Sequence, residues 1–266
     1  MKAANTTGLD STLMTCAKCG EETHIVRDTP FGRKKLPVAC KCKRAEYDKA
    51  REEEAKREKQ IKLRRLKEYS LMDKMFETCT FENWEKDSSN EKWFKMAEKY
   101  ADNFKDMKKE NIGFMLYGPA GAGKTYMVSA IANRLMERLT PVIVISSLGI
   151  LNKIKDNYGR YGSEGEVQII NSLKTASLLV IDDLGAENNT EWATTTLYQI
   201  VDSRYRNNKP MIVTTNLSPE KLQEKLGQRT YDRISEMCVP MKYDGTSRRV
   251  SKGRDKATIL REMLKG

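Results

Sequence analysis

Residues 118–125, GPAGAGKT, bring glycines, a lysine and a hydroxyl together at a spacing that suits phosphate chemistry. The pattern is G-x-x-x-x-G-K-[ST], whose glycines let successive backbone N–H groups curl around a phosphate without Cβ clashes. The expected nucleotide contacts are Gly118, Pro119, Ala120, Gly121, Ala122, Gly123, Lys124, Thr125 and Tyr126. Lys124 supplies a point charge for the β- and γ-phosphates, and Thr125 offers its hydroxyl to Mg²⁺. A helix opening near Lys124 adds an N-terminal dipole that favours anions. The magnesium shell also needs a carboxylate at the end of a neighbouring buried strand. Residues 177–183, SLLVIDD, provide one. Asp182 is expected to hold Mg²⁺ through water, and Asp183 to polarise the attacking water. Asn216 closes the run MIVTTN and can orient the same water from the side. Each residue alone has a plainer reading as part of a turn. A strand before the glycines and a helix after them favour the phosphate cradle.

A second cluster lies near the start. Cys16-x-x-Cys19 and Cys40-x-Cys42 are separated by residues 20–39. Thiolates at that spacing suit one tetrahedral Zn²⁺, which would order a segment too polar to fold alone. His24, the sole histidine, can replace a thiolate or stand as an exposed loop residue. Cys79 and Cys238 sit in or beside apolar stretches and are expected in the core. No thioredoxin-like pattern surrounds Cys16, which weakens a redox reading of its pair.

These residues need a sheet to converge. Apolar runs at 112–117, 141–146, 177–182, 211–215 and 238–242 read as strands. Helical patterns fill 124–139, 148–158, 166–174, 191–207 and 218–226, and an amphipathic helix at 91–110 precedes them. That alternation implies an α/β fold, a three-layer αβα core around a five-stranded parallel sheet. Residues 1–42 look loop-like and would form the zinc-binding region. Residues 43–75 read as a charged helical linker or interaction arm, since eighteen of the 27 residues at 43–69 are charged. Residues 76–266 form the expected ATP-binding domain. A length of 266 residues suffices to bury that core without disulfides.

Charge narrows the partners. Lysine and arginine number 48 against 37 acids, a net charge of +11 that favours a polyanion. No apolar run approaches the roughly 18 residues of a membrane helix, and residues 1–16 lack a signal-peptide core. The expectation is a soluble cytoplasmic protein with no membrane partner.

The set resembles the AAA+ ATPases, within them the branch of DnaC/DnaI-type replicative helicase loaders and IstB-type transposition helper ATPases. The resemblance covers roughly residues 70–250 and rests on TFENW (80–84), IDDLGAE (181–187), TEWA (190–193), LYQIVDSRY (197–205), TTNLS (214–218) and LGQRTYDRI (226–234). It implies an arginine finger at Arg233, with Arg229 beside it, acting in trans on a neighbouring subunit's γ-phosphate. It implies a later sensor arginine at Arg248, for which Arg249 is the alternative. Asp183 stands where many members carry glutamate, so slow hydrolysis is expected, with Glu187 a weaker candidate for the water. About 24 residues follow the last strand, leaving no room for a C-terminal helical lid. Extra helical structure at 148–174 lines a single-stranded DNA path in initiators and loaders. Here Lys153, Lys155 and Arg160 would supply charge, and Tyr158 and Tyr161 stacking rings. A solvated helical hairpin is the plainer reading.

The resemblance therefore implies an ATP-dependent loader of a hexameric replicative helicase onto single-stranded DNA, using ATP, Mg²⁺ and Zn²⁺. Loaders of the Gram-positive and phage type often carry a similar cysteine cluster. The alternatives are an IstB-like transposition helper and a nucleotide-gated single-stranded DNA-binding module that hardly hydrolyses ATP.

Overall fold

The computed structural model describes residues 15–245 with 247, 248, 256, 260, 261, 263 and 264, and the side chains of 157–163 lie outside it. The chain divides into two units, Met1–Ile61 and Lys62–Gly266. The first contains β1 (His24–Thr29) and β2 (Gly32–Pro37), an antiparallel hairpin with Thr29 paired to Gly32. This corrects the loop-like reading of residues 1–42. The strands are short and largely exposed, so they lack the apolar alternation that marks a half-buried strand. Helix α1 (Lys41–Tyr69) follows as expected, with no buried residue. The unit boundary at 61 and 62 falls inside this helix rather than at its ends.

The second unit is built on β3 (Gly113–Tyr117), β4 (Val142–Ser146), β5 (Leu178–Asp182), β6 (Met211–Thr215) and β7 (Cys238–Lys242). They form one parallel sheet in the order β4-β5-β6-β3-β7. All five strands match the sequence expectation; four are buried almost throughout and read as apolar runs, whereas the edge strand β7 is largely exposed. Their side chains alternate between two cores. Phe114, Leu116, Val180 and Ile212 join one; Met115, Ile181 and Val213 join the other.

Helices α2 (Glu91–Asp102) and α4 (Lys124–Glu137) cover the first face, packing Trp93, Ala97 and Tyr100 with Val128, Ile131 and Leu135. Helix α3 (Phe104–Lys109) is a separate short piece, where one helix over 91–110 was expected. Asn103 makes the break by donating its side-chain amide to the Lys99 carbonyl at 2.8 Å.

The second face is covered by α5 (Ser147–Thr175), α6 (Glu191–Arg206), α7 (Pro219–Leu226) and α8 (Gln228–Met237). Helix α5 corrects the expected pair 148–158 and 166–174. Gly159, Gly162 and Gly165 suggested a break, but each glycine costs only about 1 kcal/mol against alanine in a helix. Buried Ile150 and Ile154 at one end and Leu173 at the other anchor it as one element. Helix α8 was not anticipated. It starts after Gly227, whose φ of 78° is open to glycine at little cost. Among the described residues no helix is long and apolar enough to cross a membrane. Most of the segment bearing on a lid lies outside the described residues.

Arg204 locks this face. Fully buried, it donates to the carbonyls of Leu173 at 2.8 Å, Ala176 at 3.1 Å and Pro210 at 2.5 Å. Burial pulls its pKa down to about 9. Arg204→Ala leaves those carbonyls without their donor, so stability should fall by about 3 kcal/mol. Urea denaturation measures this. A loss below about 1 kcal/mol would show that the ends of α5 and α6 are held by apolar packing alone.

Candidate nucleotide site and cysteine cluster

Strand β3 delivers the glycine loop, and α4 begins directly after it. Gly118 has φ 150°, and a Cβ there would lie 2.4 Å from the Tyr243 carbonyl oxygen. Gly123 caps α4 at φ 112°, again a backbone region open to glycine. The loop thus turns sharply enough to bring Lys124 back under its own carbonyls. Lys124 is 5% exposed, and its ammonium donates to Gly118 O at 2.9 Å, Pro119 O at 2.9 Å and Asn216 Oδ1 at 2.8 Å.

Asn216 completes a bridge, because its Nδ2 donates to Asp183 Oδ1 at 3.1 Å. The two residues expected to handle water are therefore joined to each other and to the phosphate lysine. The Thr125 hydroxyl lies 3.0 and 3.1 Å from the two Asp182 carboxylate oxygens. Burial raises the Asp182 pKa above the usual carboxylate range, opposed by the hydrogen bond from Thr214.

Thr214 was missed by sequence reasoning. Its hydroxyl donates to Asp182 Oδ1 at 2.6 Å and accepts from the Asp183 backbone N–H at 3.0 Å. Ser147, also missed, donates to the Asp183 carbonyl at 3.0 Å. Asp183 needs these ties because its φ is 50°, a left-handed conformation that costs a non-glycine residue about 1–3 kcal/mol. The signal for Thr214 was present in the string TTN, one strand over from Asp182.

A cavity of about 290 Å³ opens beside these groups, near the lower end of small-molecule sites. Lys124, Thr125, Asp183, Asn216 and Arg248 line its polar part; Met75, Phe76, Cys79 and Trp84 line its apolar part. A lining of both kinds suits a nucleotide, which has charged phosphates and a flat apolar base. The oxygen donors Thr125 and Asp182 fit Mg²⁺, a hard cation. Tyr126 lines the cavity too, while its hydroxyl donates to Thr80 O at 3.1 Å and its ring meets Trp84 edge-on.

The remaining residues fall as follows. Arg248 lines the cavity, but its guanidinium pairs with Asp87 and its backbone N–H donates to Gly121 O at 3.0 Å. Arg249 lies outside the described residues. Arg233, on α8, pairs with Asp202 and covers the rings of Tyr198 and Tyr205. Arg229 is exposed one turn before it. Glu187 is buried and accepts the Gly185 N–H at 3.0 Å, so its carboxylate caps a turn. Lys153 and Lys155 are exposed on α5, with the Lys155 ammonium 4.9 Å from the Trp192 ring centre. The side chains of Tyr158, Arg160 and Tyr161 lie outside the described residues.

In the first unit Cys16, Cys19, Cys40 and Cys42 place their sulfurs within 4.8 Å of one another, a set that fits one tetrahedral zinc. The Cys19 thiol is lowered to about 7, chiefly by the Glu21 backbone N–H, while its bond to Cys19 drives Cys42 up to about 11. His24 stands apart from this group. It lies in β1 rather than a loop, its Nδ1 3.1 Å from the Thr23 hydroxyl. Cys79 and Cys238 are buried, as expected.

Residues 43–256 match the family model of the IstB-like ATP binding proteins, a span that contains every nucleotide-site residue above. The chain belongs to that family. The cysteine cluster lies outside the matched span. Over 176 residues the chain is 30% identical to the replicative helicase loader DnaC of Escherichia coli (strain K12), covering 65% of this chain and 70% of that protein. A crystal structure of DnaI superposes with a TM-score of 0.55 at 23% identity, over 66% of this chain and 94% of that one. A crystal structure of the DnaC helicase loader gives a TM-score of 0.56 at 22% identity, over 65% and 100%. The last two likenesses are of fold.

The clustered thiols make metal content a direct check on the first unit. Freshly purified protein should carry about one zinc per chain by elemental analysis, and a Cys16→Ser/Cys40→Ser variant close to none. Equal zinc in the two proteins would place the metal elsewhere.

Proposed function

We propose that this protein is an ATP-dependent loader of a hexameric replicative helicase onto single-stranded DNA during replication initiation in the cytoplasm. The observation that carries the reading is the joined set Lys124–Asn216–Asp183 and Thr125–Asp182, in a chain whose curated relative is a replicative helicase loader. The transposition-helper reading has no comparable support.

Bound Mg²⁺ would neutralise charge on the β- and γ-phosphate oxygens. The chain's residues do the rest. Lys124 exchanges neutral oxygens for a phosphate, a stronger charge-assisted bond. Thr125 and Asp182 would hold the metal. Asp183 orients the attacking water, and Asn216 couples its position to that of Lys124. The carboxylate of aspartate reaches one methylene less far than that of glutamate, so turnover is slow and depends on DNA or assembly.

Arg233 acts in trans between copies of this chain. Its pairing with Asp202 is largely buried, so a neighbour's γ-phosphate would have to replace that bond with another charge-assisted one to recruit the guanidinium. Arg248 would make the equivalent exchange from Asp87 to the phosphates of its own site. Lys153 and Lys155 on α5 contribute to a path for single-stranded DNA, and the zinc-bearing N-terminal arm docks on the helicase.

Deposition of a purified hexameric helicase on circular single-stranded DNA, scored by unwinding of an annealed strand, tests the proposal. The chain plus ATP should raise deposition severalfold. Arg233→Ala should lose that gain while keeping ATP affinity, and mixing it with Lys124→Ala should restore part. If the parent chain leaves deposition unchanged, the loader reading fails; if mixing restores nothing while both variants assemble, the trans role of Arg233 fails.

A further inference from the structure

The β1–β2 hairpin presents a face that its own chain leaves electrostatically unfavourable. The register sets Arg27 directly opposite Lys34, with Ile25 opposite Leu36 beside them. Like charges directly opposite destabilise an antiparallel pair. The hairpin's one acid, Asp28, cannot relieve them, because alternate residues point to opposite faces. Asp28 instead pairs with Arg33 at 3.2 Å on the other face.

The tip adds a second observation. Phe31 is 87% exposed, more than any other large apolar side chain among the described residues. Its turn is held in place: the Thr29 hydroxyl donates to Gly32 O at 2.7 Å and accepts the Phe31 N–H at 3.3 Å. The Lys34 ammonium lies 5.6 Å from the Phe31 ring centre. A hairpin that served only solubility would need charge but no exposed ring. A ring beside cations with no acid on their face suits a ligand that is both anionic and flat.

We propose that Phe31, Arg27 and Lys34 form a binding site for single-stranded DNA, with the ring stacked on a base and the two cations on adjacent phosphates. Stacking needs an unpaired base face, which favours a single strand over a duplex. The cysteine cluster brackets the hairpin, Cys16 and Cys19 before β1 and Cys40 and Cys42 after β2. A two-stranded ribbon is marginal alone, so zinc at that base would hold the site in shape. This site lies on other residues than α5, and its existence does not depend on the loader reading.

The test uses full-length, zinc-loaded protein and a labelled oligothymidine, followed by fluorescence anisotropy across a salt series. Phe31→Ala should weaken binding by about tenfold, whereas Phe31→Trp should bind like the parent. Arg27→Ala/Lys34→Ala should make the slope of log affinity against log salt shallower by about 1.4, the contribution of two phosphate contacts. Zinc content and Mg-ATP affinity should stay at the parent's values, which separates loss of the site from loss of the fold. Parent-like oligothymidine binding by Phe31→Ala and the double variant would overturn the proposal. So would an equal loss on duplex DNA, which would make the face a general cationic surface. Loss of helicase association with unchanged oligothymidine binding would make it a protein-docking face instead. Failed helicase deposition with hairpin binding intact would sink only the loader reading.

Discussion

A buried ammonium at the end of a central strand sets the terms for the rest of the site. Lys124 is withdrawn from water, and a charge so placed must be met by well-aimed oxygens. Two come from its own loop and one from Asn216, a residue 92 positions later. The parallel register makes that possible. Tyr117 of β3 pairs with Thr215 of β6, so the glycine loop and Asn216 leave the sheet at the same level. Strand β5 lies next to β6 on the far side, which places Asp182 and Asp183 alongside. Strand order, more than any single contact, therefore gathers Lys124, Thr125, Asp182, Asp183 and Asn216 at one edge.

The same geometry joins Asn216 to both sides of the site. It accepts from Lys124 and donates to Asp183, so on the proposed function a phosphate that drew the lysine away would also release the amide beside the Asp183 carboxylate. Thr214 ties Asp182 to the backbone of Asp183, and Ser147 holds the next carbonyl. The strained backbone at Asp183 is thus fixed by residues on two other elements. Arg233 and Arg248, by contrast, rest on the carboxylates of Asp202 and Asp87, the first pair largely buried and the second half-exposed. A phosphate could take the place of either carboxylate, whereas the Asp183 anchors join it to β6 and α5 within its own chain.

Much of this was legible in the amino-acid sequence where burial imposes a simple rule. Four of the five strands showed themselves as apolar runs because both faces of the sheet are covered there, while the edge strand β7 is largely exposed. The GPAGAGKT string and the aspartates after SLLVI were legible because phosphate and magnesium demand particular residue types at strand ends. What was hidden depended on tertiary context. Three glycines could not reveal that α5 runs unbroken, since its anchors Ile150, Ile154 and Leu173 are set by packing. Thr214 and Ser147 look ordinary until the sheet brings them to Asp182 and Asp183. The β1–β2 hairpin escaped notice because exposed strands carry no hydrophobic alternation. The pairing of Arg233 with Asp202 required α8, whose buried spacing at Thr230, Ile234 and Met237 is short and easily overlooked, and the packing of α8 against α6.

The central claim is that Lys124 is held ready for a phosphate and that the sheet edge around it is a Mg-ATP site. Calorimetric titration of Mg-ATP into the parent and into Lys124→Ala tests this most directly. The geometry predicts that the variant keeps its fold yet binds about a hundredfold more weakly, the loss expected when a charged hydrogen-bond donor to phosphate is removed. A folded Lys124→Ala protein that bound Mg-ATP with the parent's affinity would contradict it.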